Sequence, residues 1–188
     1  MGQITVTQNV GGISGLSVIV PTVHLDARGY FTETYNAREL AEYGITTPFV
    51  QDNESMSTRG VLRGMHFQKA HPQAKLVRVL SGEVFDVAVD LRAGSPTFGK
   101  WHGELLSDAN KKQFYVPEGC AHGFLVLSKT ARFAYKVTEF WHPGDEVAVR
   151  WDDPDIGIVW PLGAIDGEPL LSEKDAHNPT LAEYLASL

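Results

Sequence analysis

The stretch KLVRVLSGEVFDVAVDL, residues 75–91, decides the fold class of this chain. It holds two strand-like runs, Lys75–Leu80 and Glu83–Leu91, which meet at the turn residues Ser81 and Gly82. Alternation along the second run places Phe85, Val87, Val89 and Leu91 on one face and Val84, Asp86, Ala88 and Asp90 on the other. The stretch therefore predicts two β-strands joined by a tight turn.

Similar short segments lie on both sides of residues 75–91, and Gly and Pro residues separate them. Further strands are predicted at Leu16–Val20, Gly29–Tyr35, Phe49–Asp52, Val61–Gln68, Trp101–Ser107, Gln113–Val116, Gly123–Leu127, Arg132–Phe140 and Glu146–Trp151. Turns at such close spacing favour a sandwich or barrel over βαβ units. We expect an all-β jelly roll or related barrel of about ten strands, a shape that can hold a single ligand inside.

Two short helices are predicted at the periphery of this barrel. In the first, Asn36 is the N-cap, Glu39 occupies the capping-box position and Gly44 ends the helix. In the second, Asn178 is the N-cap and Pro179 fits the first helical position. The apolar stripe of this second helix, which we expect to dock on the barrel, consists of Leu181, Tyr184, Leu185 and Leu188.

The length and charge of the chain limit the classes of protein to consider. With 188 residues, 43% of them hydrophobic, the chain can bury a core without disulfides, and we expect one domain over residues 1–188. Its 16 basic and 23 acidic side chains give a formal net charge of −7. General binding to nucleic acid or to an anionic membrane is therefore not expected, although a local Arg/Lys pocket could still hold a small anion.

Three features point to the cytoplasm. The single cysteine, Cys120, cannot form an internal disulfide, which fits a reducing compartment. No apolar run approaches the ~18 residues of a membrane span. The first residues, MGQITV, have neither the basic nor the apolar region of a signal peptide.

The segment GVLRGMHFQ, residues 60–68, and Lys75 carry the first candidate functional residues. Arg63 offers a planar fork of donors for a phosphate and Lys75 a point charge, while His66 can act as a general base near neutral pH. Arg63 and His66 are three residues apart, so strict alternation would place them on opposite faces of a strand. If both line one pocket, we expect a β-bulge near Gly64; otherwise the group is a solvated strand face.

Three further candidates have weaker local indications. The turn in VPEGCAHGF, residues 116–124, delivers His122 at the start of a strand, where it is either functional or incidental. Tyr135 lies on an apolar strand face, which suits either a core tyrosine or a proton donor in a dry pocket. The segment Ser172–Asp175 has the local pattern of a charged, solvated turn.

Several motifs in a fixed order resemble those of the dTDP-4-dehydrorhamnose 3,5-epimerase family of cupin-fold sugar-nucleotide epimerases. They are DARGYFTE (26–33), FVQDN (49–53), GVLRGMHFQ (60–68), GEVFDVAVD (82–90), SPTFG (95–99), PEGCAHGF (117–124), WDDP (151–154) and SEKD (172–175). Together they cover nearly the whole chain, which makes the resemblance far more specific than any single motif.

The resemblance implies a cupin-type jelly-roll barrel that forms a homodimer and needs no cofactor. The implied substrate is a dTDP-4-keto-6-deoxyhexose, and inversion of C3 and C5 beside its ketone gives dTDP-4-dehydro-L-rhamnose. By resemblance, His66 is the base, Asp175 its carboxylate partner and Tyr135 the acid on the opposite face of the sugar. The implied binding residues are Arg63 and Lys75 near the sugar and the diphosphate, His122 beside them, Gln51 and Asn53 at the nucleotide, and Arg28, Phe31 and Glu33 from the partner subunit.

Neither a metal site nor a nucleophilic cysteine is predicted. Metal-binding cupins present a His-x-His pair, whereas the second position of that pair after His66 is Gln68 here. One His on each strand makes a poor zinc or iron site. Cys120 lies in a turn without the surroundings of a reactive thiol.

Three positions depart from the usual pattern of the family. Glu54 stands where the family commonly has His, and Phe140 and Trp141 stand where it commonly has two tyrosines. The lost phenol groups could alter contacts to the diphosphate or the nucleotide.

Other functions therefore stay open beside the double epimerase. One is a monofunctional 3- or 5-epimerase of a related dTDP-4-keto-6-deoxyhexose. Another is a non-catalytic cupin that only binds a nucleotide sugar, although the presence of His66, Asp175 and Tyr135 argues against it. The last is a metal-dependent cupin oxygenase.

Overall fold

Two antiparallel β-sheets, stacked face to face, form the body of the computed structural model, which describes residues 3–188. In chain order the strands are β1 (Ile4–Gln8), β2 (Ser17–Pro21), β3 (Val23–Asp26), β4 (Gly29–Thr32), β5 (Gln51–Thr58), β6 (Leu62–Gln68), β7 (Lys75–Ser81), β8 (Glu83–Asp90), β9 (Trp101–Ser107), β10 (Gln113–Val116), β11 (Cys120–Val126), β12 (Thr130–Val137) and β13 (Glu146–Ala148). The six-stranded sheet has the order β1-β2-β10-β7-β12-β5, and the five-stranded sheet has the order β13-β6-β11-β8-β9. The remaining strands, β3 and β4, form a hairpin outside both sheets.

The turn at Ser81-Gly82 carries the chain from one sheet to the other. Strand β7 belongs to the six-stranded sheet and pairs with β10 and β12, whereas β8 belongs to the five-stranded sheet and pairs with β11 and β9. Two strands joined by a tight turn are thus confirmed, and so is the all-β prediction. The turn helps to close the two sheets into a barrel-like sandwich.

Apolar side chains from both sheets fill the space between them. Val84 and Ala88 of β8 and Phe114 of β10 are completely buried there. On the other face of β8, Val87 and Val89 pack against the segments that follow β13, in a second cluster that includes Val149, Ile156, Trp160 and Ile165. The predicted division of β8 into two faces is confirmed, and its continuous apolar character follows from burial on both sides.

Most strands lie where the sequence predicts them, with a few exceptions. Strands β1 and β3 were not predicted, although their sequences, ITVTQ and VHLD, alternate between apolar and polar residues. One lies at a sheet edge and the other in the outer hairpin. Strand β5, with the polar sequence QDNESMST, extends well beyond the predicted Phe49–Asp52. The strands predicted to end at Tyr35, Phe140 and Trp151 stop at Thr32, Val137 and Ala148. In each case an aromatic residue with high strand propensity lies in the loop that follows.

Helix α1 (Ala37–Ala41) begins as the sequence predicts. The Asn36 side chain accepts hydrogen bonds from the backbone N–H groups of Arg38 (3.0 Å) and Glu39 (3.4 Å). The predicted capping box is wrong, because Glu39 Oε1 instead accepts from the backbone N–H of Gln3 at 2.8 Å.

The predicted cap of the last helix is also wrong. After the short helix α2 (Glu173–Ala176), helix α3 spans Leu181–Ala186 and has Thr180 as its N-cap, in a capping box with Glu183. Asn178 points back instead, and its Nδ2 donates to Oδ1 of Asp175 at 3.3 Å. It also donates to the backbone oxygen of Gly64 at 3.4 Å, so Asn178 ties this segment to β6 rather than capping the helix.

Only the first turn of α3 docks on the barrel. Leu181 is buried and Tyr184 packs edge-on against Phe67, whereas Leu185 and Leu188 are 45% and 66% exposed. The predicted stripe is therefore half correct, because the helix is too short to follow the barrel surface further. Within residues 3–188, no helix has the length and apolar character needed to cross a bilayer.

The backbones of β6 and β11 touch at Gly64 and Gly123. A Cβ atom on Gly64 would lie 2.6 Å from the Cα of Gly123, and Gly64 has a φ of +136°, which side chains disfavour. A Cβ atom on Gly123 would lie 2.7 Å from the backbone oxygen of Arg63. Only glycine fits at both positions.

The pairing register between β6 and β11 shifts at this contact. His122 faces His66, while Phe124 faces Arg63, so β6 has one residue more than β11 between these two pairs. The bulge predicted near Gly64 is confirmed. As a result, Arg63 and His66 line the same cavity despite their spacing of three.

We predict that Gly64→Ala destabilises the protein by about 3 kcal/mol, because the new methyl group meets backbone atoms that cannot move aside. The measurement is urea unfolding followed by circular dichroism. Gly94→Ala is the matched control, since Gly94 also has a positive φ but no other part of the chain lies within 4 Å of the position its methyl group would take. Equal losses for the two variants would contradict the close-contact explanation.

Candidate active site

A cavity of about 340 Å³ lies between the two sheets. Strands β5, β7 and β12 form one wall, and strands β6, β11 and β13 form the wall opposite. Eight of the eleven residues predicted to act in catalysis or binding line it: Gln51, Asn53, Arg63, His66, Lys75, His122, Tyr135 and Asp175. Its volume is in the range of small-molecule sites.

His66 and Asp175 form a hydrogen-bonded pair in the wall. The distance from His66 Nε2 to Asp175 Oδ1 is 2.5 Å, although the two residues are 109 positions apart in the chain. Asp175 is only 4% exposed, so the solvated turn that the local pattern indicates is wrong. It is held by Ser172, the N-cap of α2, whose Oγ donates to Oδ2 at 2.9 Å, and by Asn178.

These contacts set the charge of the pair. Burial opposes ionisation of Asp175, but the hydrogen bonds from His66, Ser172 and Asn178 hold its pKa below the usual range. An ionised Asp175 accepts the proton on Nε2 of His66, which leaves Nδ1 as the basic ring nitrogen. Nδ1 makes no hydrogen bond to any residue that the structure describes, and it lies 3.9 Å from Oε1 of Glu146.

Two charged residues that the sequence patterns did not single out stand beside this pair. Glu146 of β13 and Lys174 of α2 both line the cavity, and Lys174 Nζ lies 2.6 Å from Oε2 of Glu146. Neither has a local signal that separates it from ordinary surface charge. Lys174 could have been noticed through the SEKD motif that also carries Asp175.

Two cationic side chains face the same space. Lys75 Nζ donates to the backbone oxygen of His66 at 3.3 Å. Desolvation lowers the pKa of Lys75 to about 8, although Glu146 and Asp86 favour its charged form. The Arg63 guanidinium donates to Oγ of Ser57 through Nε and Nη2, at 3.2 and 3.1 Å, which leaves other N–H groups free for a ligand.

Tyr135 lies in the wall opposite His66. Its strand, β12, belongs to the six-stranded sheet, whereas β6, which carries His66, belongs to the five-stranded sheet. Burial and the negative charge of Glu146 raise the pKa of the Tyr135 phenol, so it keeps its proton at neutral pH. The local pattern left a core tyrosine and a proton donor as alternatives; the side chain packs against the core cluster and also lines the cavity.

His122 and Asp86 form a second pair, deeper in the barrel. Nε2 of His122 lies 2.9 and 3.1 Å from the two carboxylate oxygens of Asp86. Asp86 is completely buried and His122 is 7% exposed. Burial lowers the pKa of His122 and raises that of Asp86, while the attraction and the hydrogen bond between the two groups oppose both shifts.

Polar and aromatic groups complete the cavity wall. Gln51 Nε2 donates to Oδ1 of Asn53 at 2.9 Å, and its Oε1 accepts from the backbone N–H of Trp141 at 3.2 Å. Trp141 lines the cavity and is 55% exposed. The other two unusual positions lie elsewhere: Phe140 is exposed, and Glu54 pairs on the surface with Arg132.

The three remaining predicted residues do not line the cavity of their own chain. Arg28 lies at the turn of the β3–β4 hairpin, highly exposed and paired with Asp26. Phe31 of β4 is 70% exposed. Glu33 follows β4 and accepts a hydrogen bond from Nδ2 of Asn36 at 2.9 Å.

No group of three or more His, Cys, Asp or Glu side chains within residues 3–188 is arranged to hold a metal ion. Cys120 is a buried free thiol at the start of β11. Its burial raises the pKa of the thiol to about 12, which makes it a poor nucleophile.

The two-sheet barrel is of the cupin type, and its cavity brings a His–Asp pair and a tyrosine together from opposite walls. A family model described as dTDP-4-dehydrorhamnose 3,5-epimerase matches residues 11–183. The chain belongs to this family, and the resemblance of its motifs is confirmed.

Individual relatives agree over nearly their full lengths. A dTDP-4-dehydrorhamnose 3,5-epimerase of Methanothermobacter thermautotrophicus is 54% identical over 171 residues, covering 91% of this chain and 92% of the relative. One of Pseudomonas aeruginosa is 55% identical over 164 residues, covering 87% and 89%. A dTDP-6-deoxy-D-glucose-3,5-epimerase of Legionella pneumophila, solved in complex with dTDP-4-keto-L-rhamnose, is 48% identical with a TM-score of 0.90, covering 95% and 93%.

Proposed function

We propose that this protein converts dTDP-4-dehydro-6-deoxy-D-glucose into dTDP-4-dehydro-L-rhamnose by inverting C3 and C5 of the sugar. The observation that carries the proposal is the placement of a base and an acid in opposite walls of one cavity. The base is His66, backed by Asp175, and the acid is Tyr135. The names of the relatives support the same reaction.

The first step removes a proton from a carbon beside the C4 ketone. His66 takes the proton at Nδ1, because Nε2 already donates to Asp175. The carboxylate fixes the ring tautomer and stabilises the imidazolium that forms. A well-placed base of this kind contributes ~10²–10⁴-fold to the rate.

The second requirement is stabilisation of the enolate. Removal of the proton places negative charge on the ketone oxygen, and a cation directed at that oxygen stabilises the enolate more than the neutral ketone. Lys75 and Arg63 are the cations in the cavity wall that form no ion pair with a described carboxylate, whereas Lys174 is paired with Glu146. The low-dielectric surroundings that lower the pKa of Lys75 also strengthen its attraction for the enolate.

Reprotonation from the other wall then inverts the carbon. Tyr135 holds its proton until the enolate carbon takes it, because burial raises the pKa of the phenol. A planar enolate between His66 and Tyr135 loses its proton on one face and gains one on the other. Since C3 and C5 flank the same ketone, the same cations serve both inversions.

We also propose that the nucleotide is bound partly by a second subunit. Gln51 and Asn53 offer amide groups to the nucleotide within the chain's own cavity. Arg28, Phe31 and Glu33 lie on or next to an outer hairpin whose Phe31 is 70% exposed, a form suited to reaching a neighbouring subunit in a homodimer. The free thiol of Cys120 favours a reducing compartment, the cytoplasm, for this enzyme.

Deuterium exchange tests the reaction directly. In D₂O, we expect the protein to place deuterium at both C3 and C5 of dTDP-4-dehydro-6-deoxy-D-glucose, as followed by NMR. His66→Ala removes the base and is expected to abolish the exchange. His102→Ala is the matched control, because His102 is a partly buried histidine of β9 that does not line the cavity.

The distribution of the label distinguishes the other functions. Deuterium at only one carbon would indicate a monofunctional epimerase. Absence of exchange at both carbons, with retained binding of the nucleotide sugar, would indicate a protein that binds without catalysis.

The pH dependence tests the role of Lys75. The pKa of Lys75 is lowered to about 8, so its ammonium is present below that pH and is lost as the pH rises through it. We expect kcat/KM to fall above a pH of about 8. Tyr135 cannot cause this fall, because its pKa lies above the usual value of ~10.

The matched variant is Lys75→Arg, which keeps its charge across this range. We expect it to lower kcat/KM at pH 7, because the guanidinium has a different shape, but to remove the decline above pH 8. A decline that persists unchanged in Lys75→Arg would show that another group titrates.

Mixed dimers test the shared site. Arg28→Ala and His66→Ala are each expected to be inactive alone, since one lacks the partner contact and the other lacks the base. Random mixing should restore about a quarter of wild-type activity, because half of the dimers are mixed and each then has one complete site. As a control, His66→Ala mixed with Tyr135→Ala should recover nothing, because both residues line the cavity of one chain; equal behaviour of the two mixtures would contradict sharing.

A further inference from the structure

Asp86 is a completely buried carboxylate that the proposed proton transfers do not use. It projects from β8 into the space between the sheets, on the same face as the core residues Val84 and Ala88. Both of its oxygens contact Nε2 of His122, and it makes no other hydrogen bond to residues 3–188. Because a buried carboxylate is costly for folding, an apolar residue would suit the core better, and its presence indicates a task at His122.

The orientation of the His122 ring is fixed from two sides. Asp86 holds Nε2, and the ring of Phe133 stacks on the imidazole with a centroid distance of 6.0 Å and an interplanar angle of 23°. Phe133 is itself stacked on Phe124 at 4.3 Å. His122 lines the cavity, and its other nitrogen, Nδ1, has no hydrogen-bond partner in the described part of the chain.

The type of hydrogen bond that Nδ1 can make follows from Asp86. Both oxygens of Asp86 lie within 3.1 Å of Nε2, the arrangement of a carboxylate that accepts one shared hydrogen, so Nε2 of His122 carries the hydrogen. Burial lowers the pKa of His122, which keeps the ring neutral and leaves a lone pair on Nδ1. His122 is thus an acceptor, whereas Arg63 and Lys75, which line the same cavity, only donate.

We propose that Asp86 is a positioning residue that fixes His122 as a hydrogen-bond acceptor for the C2 hydroxyl of the sugar. This inference rests on the proposed function. A ketone oxygen has no hydrogen to donate, so an acceptor at His122 cannot bind it and leaves it to Lys75 and Arg63. The pair thereby determines which edge of the sugar faces the cations.

The choice of C2 follows from the chemistry of the substrate. In a 4-keto-6-deoxyhexose joined to a diphosphate at C1, only C2 and C3 carry hydroxyl groups. The configuration at C3 changes during the reaction, so a rigidly held histidine cannot keep one contact with its hydroxyl. C2 keeps its configuration throughout and provides a constant anchor.

Nitrogen NMR of ¹⁵N-histidine-labelled protein tests the tautomer without any assay of activity. In the wild type at pH 7, we expect the neutral form of His122 with hydrogen on Nε2. In Asp86→Asn the amide NH₂ can donate to Nε2, and we expect the hydrogen to move to Nδ1. A doubly protonated His122 in the wild type would overturn the proposal. Because this result comes from the wild type alone, it tests the proposal even if Asp86→Asn fails to fold.

Activity toward two substrates tests the consequence. We expect the wild type to prefer dTDP-4-dehydro-6-deoxy-D-glucose over its 2-deoxy analogue by ~10–100-fold in kcat/KM, the effect of one hydrogen bond to a buried partner. Asp86→Asn should lose most of this preference, because Nδ1 then donates and competes with Arg63 and Lys75 for the hydroxyl oxygen. An unchanged preference in Asp86→Asn would contradict the assigned role.

Asp90→Asn is the matched control. Asp90 is equally buried on the same strand, but it is bonded to Arg92, Ser95 and Thr97 and does not line the cavity. We expect it to lower the melting temperature while the substrate preference stays as in the wild type. If neither substrate is epimerised but the tautomers are as expected, the proposed function fails while the positioning of His122 stands.

Discussion

The close contact of β6 and β11 at Gly64 and Gly123 is the constraint on which the site depends. Because neither strand has a side chain at this point, the two backbones lie closer together than any residue other than glycine would permit. The extra residue of β6 at the contact reverses the direction of the following side chains, so that Arg63 and His66 line one cavity. A regular strand would place the cation and the base on opposite faces of the sheet. The chemistry of the cavity therefore begins with a backbone feature rather than with a charged residue.

The ionisable groups inside the barrel differ in the contacts that set their charge. Asp175 is kept ionised by hydrogen bonds from His66, Ser172 and Asn178. Asp86 has only His122, and Lys75 has no carboxylate in direct contact among the described residues. These groups contribute little to stability, since the cost of desolvation offsets the attraction between them. Their benefit is chemical, because burial moves the pKa values of Lys75 and Tyr135 in directions that suit an enolate stabiliser and a proton donor.

The sequence predicts the parts of this structure whose signals are local. The alternation in residues 75–91 reveals two strands, and the spacing of Arg63 and His66 around Gly64 reveals the bulge. The helix cap at Asn178 was wrong because its side chain instead donates to Asp175, three residues earlier, and to the backbone oxygen of Gly64, 114 residues earlier. No local pattern records the second of these contacts. Asp175 shows the same limit more clearly, since its segment has the composition of a solvated turn, yet it is buried against a histidine 109 residues away. Only the resemblance to a family, which encodes the tertiary structure, could place it beside His66. Glu146 had neither kind of signal, and the fold alone brings it into the cavity wall. Lys174 had only its place in the SEKD motif.

The two-sheet architecture also explains why a barrel suits an inverting reaction. The proposed base, His66, comes from the five-stranded sheet and the proposed acid, Tyr135, from the six-stranded sheet, so the two faces of a flat intermediate would meet different walls. A single sheet or a helix surface would present both groups to the same face, and proton return would then restore the original configuration. Inversion thus requires a cavity enclosed on both sides, and the rigid pairing of strands keeps the walls at a constant distance while the enolate is between them.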